Sequence, residues 1–315
     1  MIPTTPQAPY ALHAWRHLLP LLLLCLGGSA LAGAVDPQAP VAPVTVRLSI
    51  VKTGSREVPE AMMVSGGRWT HEMPTHFSAF LIQHGAQHML FDTGLGKHIG
   101  AQYQQDMPLW LRPVFRYEHP VTPARAQLDA AGTPPVDAIY LSHSHWDHAS
   151  GLVDFAEATV WLPRPEMATI TTPKGGLGGA WPSQVGSPTL RWRGFDFQPI
   201  PTEGFASSHD VFGDGTVVLV PLYGHTPGSI GLFVKVNSGQ RYFLVGDAVW
   251  SARALEHGSP KFWLARMLVD AHGAHTQEAI ERIRAAMVSD PKLVVLPAHD
   301  GFVQDALGYF PKWLD

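Results

Sequence analysis

A chain of 315 residues that is 45% apolar and 15% charged has the make-up of a globular protein with room for a sizeable core. Its formal net charge of −4 provides no broad basic surface, which argues against nucleic acid as a partner. Histidine stands out, at 17 residues against 22 Lys plus Arg.

The first residues read as an export signal. Arg16 and His17 precede an apolar run from Leu18 to Leu26 that is too short to span a bilayer, and Ala30-Leu31-Ala32 then offers a small-x-small cleavage site. Residues 1–32 are therefore expected to be removed as a signal peptide, leaving a periplasmic or secreted product with no stable membrane anchor. The single cysteine, Cys25, would leave with them, so the mature chain would have no disulfide and no thiolate ligand. Residues 33–43 form a Pro/Ala-rich flexible tether, and 44–315 are expected to fold as a single domain.

Val44 to Val51 alternates as a first strand. His76 to Gln83 and Gln87 to Phe91 are two more, joined by a turn at His84-Gly85-Ala86. Gln102 to His119 is aromatic and broken by prolines, as expected of a flap packed over the fold rather than a regular helix or strand. Thr122 to Ala131 predicts a short helix with Thr122 as its N-cap and Pro123 at its first position. Val136 to Leu141 reads as a buried strand. After Gly151 come a short helix, a strand at Thr159 to Leu162, and a Gly/Pro/Ser-rich binding loop from Thr171 to Arg193 that carries Trp181 and Trp192. Val217 to Leu222, Ile230 to Val236 and Arg241 to Val245 are strands. Ala279, Ile280, Ile283 and Met287 mark one face of a helix from Thr276 to Val288. A strand at Leu293 to Leu296 and a helix from Phe302 close the chain.

The chemistry concentrates just past the strand that ends at Leu141. His143, His145, Asp147 and His148 place four ligand-type side chains within six positions, and left alone they would repel or desolvate one another. Neutral imidazoles and a carboxylate are natural donors to a divalent cation, which removes that cost. Three further candidates, His225, Asp247 and His299, each lie just past an apolar run with turn residues beside it, so each would sit at a strand end.

His143-Ser144-His145-Trp146-Asp147-His148 resembles the HxHxDH signature of the metallo-β-lactamase superfamily, and Gly224-His225-Thr226-Pro227-Gly228 resembles its GHTPG turn. Phe91-Asp92-Thr93-Gly94 resembles a further signature, in which the aspartate orders the metal loop from behind. The resemblance spans residues 44–315 and implies an α+β fold, the αββα sandwich of two mixed sheets with helices outside. It implies that His143, His145 and His225 hold one divalent ion, that Asp147, His148 and His299 hold a second, and that Asp247 bridges the two. Two such ions, expected to be zinc, lie roughly 3.5–4 Å apart and share a water whose pKa falls toward about 7, giving hydroxide as the nucleophile. Asp147 would also pass a proton toward the leaving group. With no cysteine ligand, the chain is similar to dinuclear N-acyl-homoserine lactonases and methyl parathion hydrolase-like enzymes rather than to zinc-thiolate β-lactamases.

Those implications predict a hydrolase of small hydrophobic esters or lactones, with organophosphate triesters as the alternative substrate class. A non-catalytic protein that keeps the metal fold to bind a ligand is the reading from another class, and the complete donor set speaks against it. Trp110, Phe115, Tyr117, Trp181, Trp192 and Trp250 are the candidates to line an apolar cleft, and no Arg/Lys cluster stands near the metal loops in the sequence. Trp250 occupies the position, three past Asp247, where many such lactonases have a tyrosine that donates to the substrate carbonyl. Its indole N–H could still donate one hydrogen bond there. The export reading is checked by N-terminal sequencing of protein from an exporting host, which is expected to begin near Gly33 or Val35. An intact Met1 on soluble cytoplasmic material would count against it.

Overall fold

Apolar residues alternate along strand after strand, and a sheet built from them must cover two faces. The computed structural model describes residues 44–315; the expected signal peptide and tether lie outside these residues. One sheet is made of β1 (Val46–Pro59), β2 (Glu72–His84), β3 (Gln87–Phe91), β4 (Ala138–Tyr140), β5 (Thr159–Pro163) and β6 (Arg191–Phe195), hydrogen-bonded in that order. The other contains β7 (His209–Asp210), β8 (Val217–Pro221), β9 (Ile230–Lys235), β10 (Arg241–Leu244) and β11 (Val294–Leu296), in the order β11-β10-β9-β8-β7. Both sheets are mixed: β3 to β6 run parallel, as do β10 and β11, and the remaining pairs are antiparallel.

Every second residue of these strands points into the space between the sheets. Leu48, Ile50, Phe80 and Ile82 there share one apolar cluster with Leu219, Leu232, Val234 and Leu244. The alternate residues face outward and are covered by helices. Leu81, Leu90, Ile139 and Val160 pack with Leu128 of helix Ala124–Ala130 and Ile170 of helix Arg164–Thr171. Phe233, Phe243 and Val295 pack with Ile280, Ile283 and Ala286 of helix Gly273–Ser289. This is the αββα sandwich. Among the described residues no helix is long and apolar enough to cross a membrane.

Strand direction sets where chemistry gathers. The carboxyl ends of β3, β4 and β5 share one sheet edge because these strands are parallel. In the second sheet β8 and β10 both pair antiparallel with β9, so they run the same way, and β11 runs with β10. The segments leaving β3, β4, β5, β8, β10 and β11 carry Asp92, the HxHxDH run, Glu166, His225, Asp247 and His299 respectively.

Several element boundaries differ from those expected. β1 continues to Pro59 instead of stopping at Val51; a register shift between Lys52 and Gly54 breaks the alternation that would have revealed it. Residues expected to open the flap at Gln102 belong to helix Ile99–Asp106, and only the part after Met107 is irregular. The next helix starts at Ala124 with Pro123, not Thr122, at its cap, and no side chain bonds there. The Thr171–Arg193 loop contains a short helix at Pro182–Val185, and Trp192 lies in β6. Helices Arg253–His257 and Trp263–Val269 had no periodic signal long enough to announce them.

Leu232 is fully buried between the sheets, whereas Val288 on the terminal turn of its helix is 81% exposed. Leu232→Ala is expected to cost about 2–5 kcal/mol of unfolding free energy, and Val288→Ser no more than about 0.5 kcal/mol. Denaturant midpoints of the two variants check the assignment of the core.

Candidate metal centre

The segment leaving β4 turns through Ser142–His145 into the short helix Trp146–Ala149, so His143, His145, Asp147 and His148 converge from one loop. His225 reaches the same point from the β8–β9 turn, Asp247 from the end of β10 and His299 from the end of β11. The donor atoms of His143, His145 and His225 lie within 4.8 Å of one another, as do those of Asp147, His148 and His299. Asp247 stands between these trios. Its Oδ2 is 3.5 Å from His225 Nε2, while its Oδ1 is 3.3 Å from His148 Nε2 and 3.2 Å from His299 Nε2. All seven sequence-predicted donors are thus brought together, and His143 also groups with His148 and Asp247 across the two trios.

Hydrogen bonds behind the imidazoles determine which nitrogen faces inward. Asp92 Oδ2 accepts from Ser142 Oγ at 2.7 Å and from His148 Nδ1 at 2.8 Å, and Asp92 Oδ1 accepts from the Ser142 amide at 2.7 Å. The Ser142 hydroxyl proton is committed to Asp92, so its oxygen accepts from His143 Nδ1 at 3.0 Å. His225 Nδ1 donates to Asp270 Oδ1 at 2.8 Å, and His299 Nδ1 donates to the His76 carbonyl at 2.9 Å. Each of these four rings therefore turns Nε2 toward the centre as a lone-pair donor. His143 and His225 then bring two bare Nε2 atoms within 3.1 Å of each other. His145 Nε2, His148 Nε2 and Asp247 Oδ1 are buried without a hydrogen-bond partner. Facing lone pairs and orphaned acceptors at one point fit divalent cations and little else.

The charge balance agrees. Burial holds His143 and His145 well below the usual imidazole range, and their neighbouring imidazoles, whose positive forms would repel, add to it, so both are neutral donors. Burial lowers His225 as well, and the Lys261 ammonium reinforces that effect. Burial also opposes charge on His148 and His299, but carboxylates outweigh it. Asp92, Asp247 and Asp147 raise His148 well above its ordinary value, and Asp247 with Asp147 raises His299 to about 10. Asp247 is itself kept well below the carboxylate range, against its burial, by His299 and His148. Positive charge is favoured at the second trio and next to Asp247, where a cation would replace protons.

Two residues that carried no visible signal in the sequence, Glu166 and Lys261, help the motif residues hold this arrangement. Glu166, fully buried, accepts from the Ser144 amide and hydroxyl through Oε1 and from Thr226 Oγ1 and the Gly228 amide through Oε2. It ties the HxHxDH loop to the GHTPG turn. A Cβ on Gly224, at φ 134°, would lie 2.2 Å from the Thr276 amide nitrogen, so only glycine lets that turn seat on the helix behind it. Asp92 itself sits at φ 61°, an unusual conformation for a residue with a side chain, held by the three bonds above. Lys261, also fully buried, donates to Asp270 Oδ1 at 2.9 Å and so backs the Asp270–His225 contact.

An apolar cleft opens onto the donors. His145, Asp147, His225, Asp247 and His299 line its base, and Val58, Met62, Met63, Phe77, Phe115 and Trp250 line its walls. Only Phe115 and Trp250 among the expected pocket aromatics contribute. Trp110 is 69% exposed and lies outside it. Trp181 is fully buried and stacks on Trp146, one layer behind the wall. Tyr117 packs edge-on against Tyr103 beside a separate groove, and Trp192 covers the outer face of the first sheet. Trp250 differs in role as well: its Nε1 donates to Asp247 Oδ2 at 2.7 Å, so its one N–H is already committed to the carboxylate and not to a substrate carbonyl. The cleft also holds Arg56 and Arg116, a basic pair that no local run in the sequence displays.

A fold of this kind with buried His/Asp trios that share a carboxylate defines a metallo-hydrolase. The family model of the metallo-beta-lactamase superfamily matches residues 76–299, and the chain belongs to that superfamily. It is related to N-acyl homoserine lactonases: AttM of Azorhizobium caulinodans is 28% identical over 225 residues, covering 67% of this chain and 81% of the relative. A solved N-acyl homoserine lactone hydrolase, with its product N-hexanoyl-L-homoserine bound at the catalytic metal centre, has a TM-score of 0.66 at 17% identity, covering 86% of this chain and 100% of its own. AidC, a dizinc quorum-quenching lactonase, has a TM-score of 0.54 at 14% identity over 82% of this chain and 89% of its own.

Metal analysis after gel filtration is expected to give close to two equivalents per chain. Asp247→Ala should lose at least one of them. Stripping the metal should lower the melting temperature, because ions that bind only the folded state stabilise it. A stoichiometry of one that excess zinc cannot raise would overturn the two-ion assignment.

Proposed function

We propose that the protein hydrolyses a small ester or lactone with a hydrophobic body, using two divalent ions, zinc in the first instance, held by His143, His145 and His225 on one side and by Asp147, His148 and His299 on the other, with Asp247 shared. The carrying observation is that the two carboxylate oxygens of Asp247 address different trios at the base of an apolar cleft. Two ions bound there supply Lewis acidity toward a carbonyl and lower the pKa of water toward about 7. Nitrogen and carboxylate donors without thiolate suit zinc in an open, catalytic site.

The chain's own groups do the rest. Val58, Met62, Met63 and Phe115 exclude water from the bound acyl portion and direct its carbonyl toward the base of the cleft. Asp147 faces the cleft with its side chain 11% exposed and lies 3.2 Å from His299, so it can take a proton and deliver it to the departing oxygen. Trp250 holds Asp247 in line and forms an aromatic wall that suits flat leaving groups. Similarity to the lactonases supports the lactone half of the reading. Export is part of the same proposal and rests on the leader-like run before Gly33.

Chelator-sensitive turnover should be seen with p-nitrophenyl esters and with acyl lactones. Phosphotriester turnover well above both would overturn the ester assignment. Trp250→Phe keeps the wall and removes one hydrogen bond from Asp247. It is expected to lower kcat on aryl esters by about tenfold, roughly 1.4 kcal/mol. An unchanged kcat with a lowered melting temperature would make Trp250 a packing residue only.

A further inference from the structure

Arg56 and Arg116 are 60 positions apart in the chain, yet both line the cleft that ends at Asp247 and His299. Arg56 lies on the extension of β1 opposite Thr75 of β2, and Thr75 bridges to Asp300, the residue after His299. This pairing anchors Arg56 close to the donor set. Its Nη1 donates to the Val114 carbonyl at 2.6 Å and the Arg116 carbonyl at 3.0 Å, which ties the irregular segment to β1 and carries Arg116 to the same rim. Arg56 Nε is buried and has no hydrogen-bond partner among the described residues.

Neither guanidinium has a carboxylate within ion-pair distance among the described residues, and Arg116 is exposed at the rim while Arg56 is half-buried. Glu118 and Glu72 act on Arg56 only from farther away, while burial and the like charge of Arg116 both disfavour its charged form. A clamp for the loop would need only Nη1. It does not account for Nη2, which is accessible and carries no hydrogen bond among the described residues, or for a second cation set against the first. Two adjacent guanidiniums with free donors form a receptor for a planar anion, and bidentate pairing with a carboxylate would relieve their repulsion.

We propose that Arg56 and Arg116 select substrates bearing a carboxylate on the acyl side, separated from the scissile carbonyl by an aliphatic stretch that lies along Val58, Met62 and Met63. This rests on the hydrolase reading above and narrows it from hydrophobic esters to ω-carboxyacyl esters or lactones.

The test uses the zinc-loaded full chain with p-nitrophenyl butyrate as the neutral ester and mono-p-nitrophenyl glutarate as the anionic one. The wild type is expected to favour the glutarate in kcat/KM by about tenfold or more, with the preference shrinking as salt screens the charges. Arg116→Gln and Arg56→Lys should each lower the glutarate-to-butyrate ratio about fivefold or more, mainly through KM on the glutarate. The Arg116 side chain makes no hydrogen bond among the described residues, so Arg116→Gln leaves the loop clamp intact even if Arg56→Lys loosens it. Turnover of the butyrate with no preference for the glutarate, or a ratio unchanged in both variants, overturns this inference and leaves the hydrolase reading standing. Turnover of neither ester, nor of an acyl lactone, by protein carrying two metal equivalents overturns the hydrolase reading and this inference with it.

Discussion

Two imidazole nitrogens with bare lone pairs face each other at 3.1 Å where His143 meets His225, and much of the molecule exists to hold them there. Such a contact is repulsive by itself, and it is surrounded by further buried acceptors on His145, His148 and Asp247. A flexible scaffold would let these groups separate and rehydrate. Instead the rings of His143, His148, His225 and His299 are each fixed from behind by a carboxylate, hydroxyl or carbonyl that takes the Nδ1 proton. The arrangement stores unfavourable electrostatics that a cation converts into affinity, which is how a rigid site becomes a selective one.

Rigidity is distributed between the sheets. Asp92 from β3 organises the loop after β4 within the first sheet, and Glu166 then connects that loop to the β8–β9 turn of the second. Asp270, backed by Lys261, fixes His225 from beyond the cleft. A buried carboxylate lends its charge to its partners only if its own oxygens are satisfied. Burial raises the Asp270 carboxyl, but Lys261 and His225 overcome that and hold it well below its ordinary range. Breaking any of these links would leave an uncompensated buried charge as well as a loosened ligand. Ligand geometry and fold stability are therefore coupled in this protein.

The cleft follows different rules from the centre it serves. The donors come from strand ends, where the sheets constrain the backbone. The walls come from the extension of β1, the short helix Glu60–Met63 after it, Phe77 of β2, the segment following Met107, the stretch around Leu177 and Trp250. Of the loop segments, only the one after Met107 and the stretch around Leu177 lie outside the paired strands; Phe77 belongs to β2, and Trp250 bonds the donor Asp247 directly. The site's chemistry is set by the strand ends, and its selectivity by paired strands and overlying segments together.

The donor set was legible in the sequence because metal binding demands particular side chains at short spacing, and each remaining ligand follows an apolar strand that ends in a turn. Most strands were legible for the same local reason, that alternation reports a face to be buried; the edge strands β6 and β7 were not, the first hidden in what reads as a loop and the second only two residues long. Glu166 and Lys261 were not, since a single buried charge has no periodicity and its meaning depends on partners 22 to 62 residues away for one and 9 to 36 for the other. The aromatic wall could not be assigned either. Trp181, Trp110 and Trp250 look alike in sequence, yet one is core, one is exposed and one holds the shared carboxylate. The Arg56–Arg116 pair is the sharpest case, because a register shift in β1 and a loop clamped by two carbonyls bring together charges that no local pattern relates. Local composition determined the metal chemistry and the layers of the fold; only tertiary packing decided which groups face the substrate, because that depends on where distant segments cross.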